Sequence, residues 1–287
     1  DGMTSACQQA GIGEGACRPC CDQFRRRRVF RQQQNAPGSI SLRSIPTWLF
    51  IILAIILYMI VRILIDPLYQ NIFFTIIDGL SITLYVTAVS FVFALIFGLV
   101  LGLGRVSRNP IFRNLAITYI EFIRGVPILV LIFTISYAIV PLLSQSIGFQ
   151  NNAVSLTTRA IVALVLIYGA YIAEIFRAGI ESIGRGQMEA ARSLGMSHVQ
   201  AMRYIILPQA VRNVLPALGN DLIALLKDTS LVSVLGVREI TQVSRLSVST
   251  TFRYEETYFI LTLFYLSMTL VLSLLLQWFQ RRVGKNV

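Results

Sequence analysis

Apolar stretches long enough to cross a lipid bilayer recur along most of the 287-residue chain, and about 20 residues suffice for one helical crossing. Hydrophobic residues make up 55% of the sequence and charged residues only 14%, against roughly 25% charged residues in ordinary soluble domains. The sequence therefore predicts an all-α integral membrane protein with several crossings. The same composition excludes an ordinary soluble enzyme.

About six transmembrane helices are expected. We place them at residues 47–65, 76–103, 114–142, 155–176, 210–235 and 257–280. Residues 79–104 and 257–280 contain no charge, so these two segments can face lipid freely. The fifth segment carries Asn220, Asp221, Lys227 and Asp228, and charged groups in hydrocarbon are expensive unless they are paired or hydrated. We therefore expect part of the fifth segment to face protein or water.

Residues 1–46 are polar and rich in arginine, which predicts a basic cytoplasmic tail. Its cysteines, including Cys17, Cys20 and Cys21, lack a second matched ligand pair, so we read them as reduced thiols and expect no metal site. His198 is the single histidine, and we read it as a solvated loop residue. No small-residue cleavage site follows the first apolar segment, so we expect that segment to stay as a membrane anchor.

The distribution of Lys and Arg predicts the orientation, because positively charged loops resist translocation. Most of the 25 basic residues fall in the tail, in the two alternate loops around residues 105–124 and 177–212, and at 281–285. This pattern places both termini in the cytoplasm. The loop after the fifth segment balances its three arginines with Glu239, Glu255 and Glu256. Because the arginines lie between apolar runs, we do not expect nucleic-acid binding.

A polar stretch at residues 180–208 separates the fourth and fifth segments. Residues 187–194 favour a short helix that Gly195 can end, and Ser197 is a suitable N-cap for a second helix that reaches Leu207. Such a two-helix unit suits docking into a groove, with Ala190 and Ala191 allowing close approach, charged contacts from Glu189 and Arg192, and apolar contacts from Leu194, Met196 and Met202. The alternative is a hairpin that lies on lipid headgroups.

These residues also follow a specific spacing. Glu189-Ala190-Ala191 is followed by three residues, Gly195, nine residues, and then Ile205-x-Leu207-Pro208. This arrangement resembles the coupling-loop signature of the permease subunits of ATP-binding-cassette (ABC) importers. Blocks at residues 121–127, 170–180 and 227–231 are similar to the polar amino-acid uptake branch of that family. One departure is Val126, where the family more often has threonine.

The resemblance covers residues 75–282 and implies a type I ABC importer permease core of five helices with a coupling loop at 180–208. The extra N-terminal helix at 47–66, the tail at 1–46 and a cytoplasmic C-terminus at 283–287 lie outside it. The resemblance further implies a multi-pass protein of a prokaryotic cytoplasmic (inner) membrane that imports polar amino acids by alternating access. Six residues would carry the coupling: Glu189, Ala190, Ala191, Gly195, Leu207 and Pro208.

The implied partners are two ATPase subunits, a second identical or related permease, and an extracytoplasmic solute-binding protein. The chain contains no Gly-x-x-x-x-Gly-Lys-[Ser/Thr] phosphate loop, so we expect ATP and Mg²⁺ to bind the ATPase subunits, and we expect no cofactor and no catalytic residue on this chain. Two alternatives stay open. One is a channel or secondary transporter that works without ATPase, and the other is an ABC importer of opines or other amino-acid derivatives.

Polar residues within the fifth segment are candidates for the substrate pathway: Asn220, Asp221, Lys227, Asp228, Thr229 and Ser230. Lys227 and Asp228 could bind the carboxylate and the ammonium of a zwitterion. The alternative is that these groups pair with other protein groups at a helix break.

Three further patterns predict helix packing, and the alternatives are a direct substrate role for the first pattern and a gating role for the second. Glu174, Arg177 and Glu181 have helical spacing and are expected to pair along one helix face. Glu121 and Arg124 are expected to pack the inner end of the third segment. Gly98-x-x-x-Gly102 is expected to pack helices within the chain.

Overall fold

A computed structural model describes residues 47–107, 109–148 and 154–284, and every regular element among them is a helix. The chain divides into two units, residues 1–54 and 55–287. Of the first unit only residues 47–54 are described, and they form the start of the first helix. The predicted tail at 1–46 with its cysteines and the last three residues of the predicted C-terminus lie outside the described residues.

The helices are numbered here in chain order. They are α1 Thr47–Ile65, α2 Pro67–Ile77, α3 Leu80–Val106, α4 Pro110–Gly125, α5 Ile128–Ser146, α6 Leu156–Glu181, α7 Arg185–Ser193, α8 His198–Ala201, α9 Leu207–Asp228, α10 Ile240–Thr251 and α11 Tyr254–Gly284. A π-helical turn at Thr134–Ile139 lies within α5, and a second at Met202–Ile206 joins α8 to α9. A 3₁₀ segment, Thr229–Leu235, follows α9.

Several helix starts are fixed by side chains in the preceding residue. Asp66 accepts a hydrogen bond from the Leu68 N–H at 3.0 Å, and Asn109 accepts one from the Ile111 N–H at 2.9 Å. In both cases a proline occupies the first turn of the helix, where its missing N–H is no loss. Ser155 caps α6 in the same way by accepting from Thr158. These caps set where the membrane helices begin.

Four stretches of the described residues are long and apolar enough to cross a membrane: Pro67–Val106, Ile128–Ser146, Leu156–Glu181 and Tyr254–Arg282. The apolar stretch Ile52–Ile65 in α1 is shorter, and α9 carries the charges noted above. The all-helical membrane fold is therefore confirmed, whereas the number of six crossings stays a prediction. The helix α2 was not anticipated.

The expected single crossing at 114–142 is wrong, because the chain breaks at Val126 between α4 and α5. Val126 has extended backbone angles of φ −108° and ψ 139°. A residue before proline is pushed out of the helical region, and Pro127 itself has no N–H to donate. The sequence Val126-Pro127 therefore separates two helices.

The main core forms where α3 packs against α6. A Cβ atom on Gly98 would lie 2.7 Å from Ile172 Cγ2 and 2.9 Å from the Gly169 carbonyl oxygen, and one on Gly102 would lie 3.0 Å from the Ala173 carbonyl oxygen. Small residues thus allow the two backbones to approach closely. The prediction that the Gly98 and Gly102 pair packs helices within the chain is confirmed.

A second apolar cluster joins α2, α10 and α11. Ile76, Ile240 and Ile260 are fully buried in it, and the rings of Phe73 and Phe264 stack with centroids 4.9 Å apart. This cluster holds the short helix α10 against the longer helices.

Candidate functional site

The polar stretch between α6 and α9 folds as two helices joined at a glycine corner. Gly195 has a φ of +81°, in the left-handed region that favours glycine. Its N–H donates to the Arg192 carbonyl at 3.0 Å, and the Met196 N–H donates to the Ala191 carbonyl at 3.2 Å. This pair of bonds is a Schellman motif. The prediction that Gly195 ends the first helix is confirmed.

The second helix starts with a reciprocal cap. The Ser197 hydroxyl accepts from the Gln200 N–H at 3.2 Å, and the Gln200 side chain accepts from the Ser197 N–H at 2.8 Å. The backbone N–H groups of Ser197 and Gln200 would otherwise lack partners at the helix start. Their two hydrogen bonds fix the direction in which the chain leaves the corner.

The second helix does not stop at Leu207, contrary to our expectation of a separate short helix. It continues through the π-helical turn into α9, and the Leu207 N–H donates to the Met202 carbonyl, five residues back. Proline in a helix removes one N–H and crowds the carbonyl four residues earlier. The wider turn before Pro208 accommodates this, so the helix runs on from the corner into α9.

The corner presents an apolar surface. Leu194 is 82% exposed and Val199 is 72% exposed, and Glu189 and Ala190 are exposed beside them. The interpretation of Ala191 as a surface residue is wrong, because it is only 1% exposed. Met196 and Met202 are half-buried. Val199 was missed from the sequence, since only the fold shows that it points away from the bundle.

A network of ion pairs lies at the end of α6 that leads into this loop and joins three helices. Arg177 binds Glu174 and Glu181 along α6, which confirms the predicted pairing. Arg105 at the end of α3 lies 2.9 Å from Glu174 and 3.4 Å from Glu121 of α4. Arg105 was missed as a partner, because its neighbours come from distant parts of the sequence.

Arg124, three residues after Glu121, contacts α6 through an aromatic ring. Its guanidinium lies over the Tyr171 ring, 5.9 Å from the centroid, within the range of a cation–π contact. Glu121 and Arg124 therefore contact other helices instead of each other.

The start of the loop is also tied to α9. The Asn213 amide donates to the Ser182 hydroxyl at 2.9 Å. One turn earlier, a Cβ on Gly179 would lie 2.1 Å from Val214 Cγ1 and 3.5 Å from the Ala210 carbonyl oxygen. The two helices that carry the loop thus approach closely on the side of the corner.

The polar candidates of α9 separate into two groups. The Tyr168 hydroxyl of α6 donates to Asp228 Oδ2 at 2.8 Å, and Asp221 lies two turns earlier on the same face of α9, seven residues before Asp228. One carboxylate oxygen of Asp221 is buried without a hydrogen-bond partner among the described residues. Asn220 and Lys227 are exposed instead.

The structure does not pair Lys227 with Asp228, because adjacent residues of a helix point in different directions. Asp228 is the last residue of α9 and accepts a hydrogen bond from Tyr168. This agrees with the alternative that these polar groups pair with other protein groups at a helix break. Thr229 is buried and donates to the Leu226 carbonyl at 2.7 Å, and Ser230 is half-buried. Tyr168 and Asp228 are therefore in contact, with Asp221 on the same helix face, whereas Asn220 and Lys227 are exposed.

Glu239 is a buried carboxyl group, although we expected it in a charge-balanced loop. It is 1% exposed and caps α10 by accepting from the N–H groups of Thr241 and Gln242 at 2.9 and 2.8 Å, and from the Tyr265 hydroxyl at 3.1 Å. Burial raises the pKa of Glu239, while these hydrogen bonds act in the opposite direction. Only its position just before the polar start of α10 indicates from the sequence that Glu239 is a helix cap.

Comparison with known proteins gives consistent matches over the same region. The family described as binding-protein-dependent transport system inner membrane component matches residues 94–285. The probable amino-acid permease protein YxeN of Bacillus subtilis (strain 168) is 41% identical over 211 residues, which cover 74% of this chain and 92% of that protein.

Two further relatives extend this comparison. The glutamine transport system permease protein GlnP of Escherichia coli (strain K12) is 38% identical over 208 residues, covering 72% of this chain and 92% of that protein. A crystal structure of an amino acid ABC transporter with histidines is 41% identical, has a TM-score of 0.66, and is matched over 75% of this chain and 95% of that one. This chain belongs to the family of binding-protein-dependent transport system inner membrane components.

Proposed function

We propose that this chain is the membrane-spanning permease subunit of an ATP-driven importer of polar amino acids. The relatives named for amino-acid and glutamine transport support the substrate class. The observation that carries the proposal is the corner at Gly195, a capped two-helix unit with exposed apolar side chains that runs without interruption into α9. Such a unit is suited to bind a groove on a partner and to transmit its motion.

The partner that fits this surface is an ATPase subunit. Leu194 and Val199 supply apolar contacts, and Glu189 supplies a charge at the edge of the same surface. Arg105 pairs with Glu121 and Glu174, so α3, α4 and α6 are held together at the end of α6 that leads into the loop. Closure of two ATPase subunits would thus move α9 relative to this braced group, which is the basis of alternating access.

The complete transporter would contain two permease chains, identical or related, two ATPase subunits that bind ATP and Mg²⁺, and an extracytoplasmic solute-binding protein. The coupling face, which includes residues 189–195, would point to the cytoplasm, and both termini would lie on that side. A channel or secondary transporter would leave the exposed apolar corner without a partner. An importer of opines or other amino-acid derivatives would share this architecture and differ only in the solute taken up.

Within the membrane, the carboxylates of Asp221 and Asp228 would contact the ammonium group of the substrate. The unpaired oxygen of Asp221 supports this assignment, because a buried carboxylate without a partner is costly. Tyr168 would orient Asp228 through its hydroxyl. Lys227 would have no direct role in this arrangement, since its side chain is exposed. Asn220, Thr229 and Ser230 would shape the same end of α9.

The experiment that tests the proposed coupling is gentle detergent extraction of the tagged chain from its native membrane, followed by mass spectrometry of the bound proteins. Glu189→Arg places the opposite charge on the corner and should release the ATPase subunit. Glu255→Arg makes the same change at the exposed first turn of α11 and should retain it. Recovery of the chain without any ATPase in all samples would contradict the proposal.

A further inference from the structure

An open cavity of about 600 Å³ lies between the α2–α3 junction and α10. It is at the end of the bundle away from the coupling corner, because Asp78 precedes α3 while Arg105 at the other end of α3 pairs with Glu174. The 27 residues of α3 separate the two ends by about 40 Å at 1.5 Å per residue. The cavity is thus far from the corner, and neither Asp228 nor Tyr168 is among its lining residues.

Two opposite charges line this cavity from different walls. Asp78 belongs to the wall formed by α2 and α3, and Arg238 belongs to the wall formed by α10 and the residue stretch before it. Both residues are exposed, and neither forms an ion pair with another of the residues described. Charges that face one cavity without neutralising each other are available to a ligand that carries both signs.

The remaining lining suits the other parts of such a ligand. The hydroxyls of Thr75 and Thr250 donate to carbonyls of their own helices, which leaves their lone pairs free to accept from an ammonium group. Ile82 and Leu246 add apolar surface. A volume of several hundred Å³ is typical of sites for small molecules.

The wall that carries Arg238 is held in place. The neighbouring Glu239 is buried under Tyr265 and caps α10, and the Ile240 N–H donates to Thr83 Oγ1 of α3 at 3.2 Å. Gly79 permits this approach, since a Cβ there would lie 2.8 Å from the Glu239 carbonyl carbon. The positions of both walls are therefore fixed before any ligand binds, which lowers the entropy lost on binding.

We propose that this cavity is a binding site for a free α-amino acid, with the carboxylate on Arg238 and the ammonium group on Asp78. The inference rests on the proposed function of amino-acid import and deepens it. The site holds the substrate at the end of the bundle opposite the coupling corner, before the substrate reaches Asp228. Recognition of both backbone charges makes the site selective for zwitterions and tolerant of different side chains.

The test uses the permease–ATPase complex in nanodiscs, without solute-binding protein and without nucleotide. The probe is a mixture of ¹⁴C-labelled proteinogenic L-amino acids, and all variants carry Asp221→Asn and Asp228→Asn so that the label reports the cavity. Asp78→Asn and Arg238→Gln should each lower bound label about tenfold. The matched controls Arg245→Gln and Glu255→Gln change exposed charges outside the cavity lining and should leave it unchanged.

Three results would overturn the site. The first is that no label binds to the complex that lacks both cavity substitutions. The second is that the control variants lose as much label as the cavity variants. The third is that mass spectrometry recovers phosphatidylethanolamine, another zwitterion, in place of an amino acid. ATP-driven uptake by the chain without any substitution, measured in proteoliposomes with solute-binding protein, separates the two proposals. If uptake is observed but the binding test fails, the cavity site is rejected and the importer function is retained.

Discussion

At the scale of single residues, the functional assignments depend on contacts that the sequence shows only in part. Gly195 could be assigned from the sequence, because a glycine after a short helix predicts a left-handed cap. The burial of Ala191 and the exposure of Val199 could not, since both depend on how the corner folds back on itself. Likewise the adjacency of Lys227 and Asp228 suggested a shared ligand, whereas the helix points them to different surroundings.

Asp228 and Tyr168 provide a test that separates transport from structure. Asp228→Asn removes the charge and keeps an acceptor for the Tyr168 hydroxyl, while Tyr168→Phe removes the hydrogen bond and keeps the charge. If Asp228 binds the substrate ammonium, the first change should lower ATP-driven uptake about tenfold or more, since hydrogen bonds to charged groups contribute about 1.5–3 kcal/mol. The second should retain most uptake.

The measurement is uptake of labelled amino acids in proteoliposomes, normalised to the amount of assembled complex. Unchanged uptake in Asp228→Asn, together with loss of assembled complex in Tyr168→Phe, would show that the pair stabilises the end of α9 and does not contact substrate.

At the scale of helices, local sequence patterns predict where most helices lie but not which helices contact each other. Prolines and capping side chains set the starts of α2, α4 and α6, and Val126-Pro127 divides what hydropathy alone presented as one crossing. The ion pairs of Arg105 with Glu174 and Glu121 could not be predicted, because they join residues of α3, α6 and α4 that are far apart in sequence. The glycine spacing in α3 predicts a close helix contact, but it does not identify α6 as the partner helix.

The α3–α6 contact predicts opposite effects for one substitution at two positions of α3. Gly98→Ala should lower the melting temperature of the detergent-extracted complex, because its new methyl group would press on the Gly169 carbonyl and Ile172, and overpacking costs about 1–3 kcal/mol. Gly104→Ala should leave it unchanged or raise it, since the nearest atom, Ala116 Cβ, is 3.4 Å away and alanine favours a helix.

Fluorescence-monitored thermal unfolding of the two variants checks this expectation. Equal melting temperatures for both would mean that α3 and α6 separate or shift at little cost, and that the glycine contact does not limit stability.

At the scale of the whole molecule, composition and the Glu189-to-Pro208 spacing suffice for the fold class and the family, because membrane thickness and a docking loop impose strong constraints on sequence. The polar arrangement inside the bundle and the cavity at Asp78 and Arg238 depend on tertiary packing, so the sequence alone does not reveal them. Together they support the proposal of a substrate path at one end of the chain's helices and a motion-transmitting corner at the other.

The most direct test of this account is the ratio of amino acid imported to ATP hydrolysed by the reconstituted transporter, compared between Gly195→Pro and Gly195→Asn. Proline fixes φ near −65° and removes the N–H that bonds Arg192, whereas asparagine tolerates the left-handed conformation. We predict that Gly195→Pro retains ATP hydrolysis but loses at least tenfold in import per ATP, while Gly195→Asn keeps a near-normal ratio. A normal ratio in Gly195→Pro would contradict the claim that this corner transmits the motion of the ATPase.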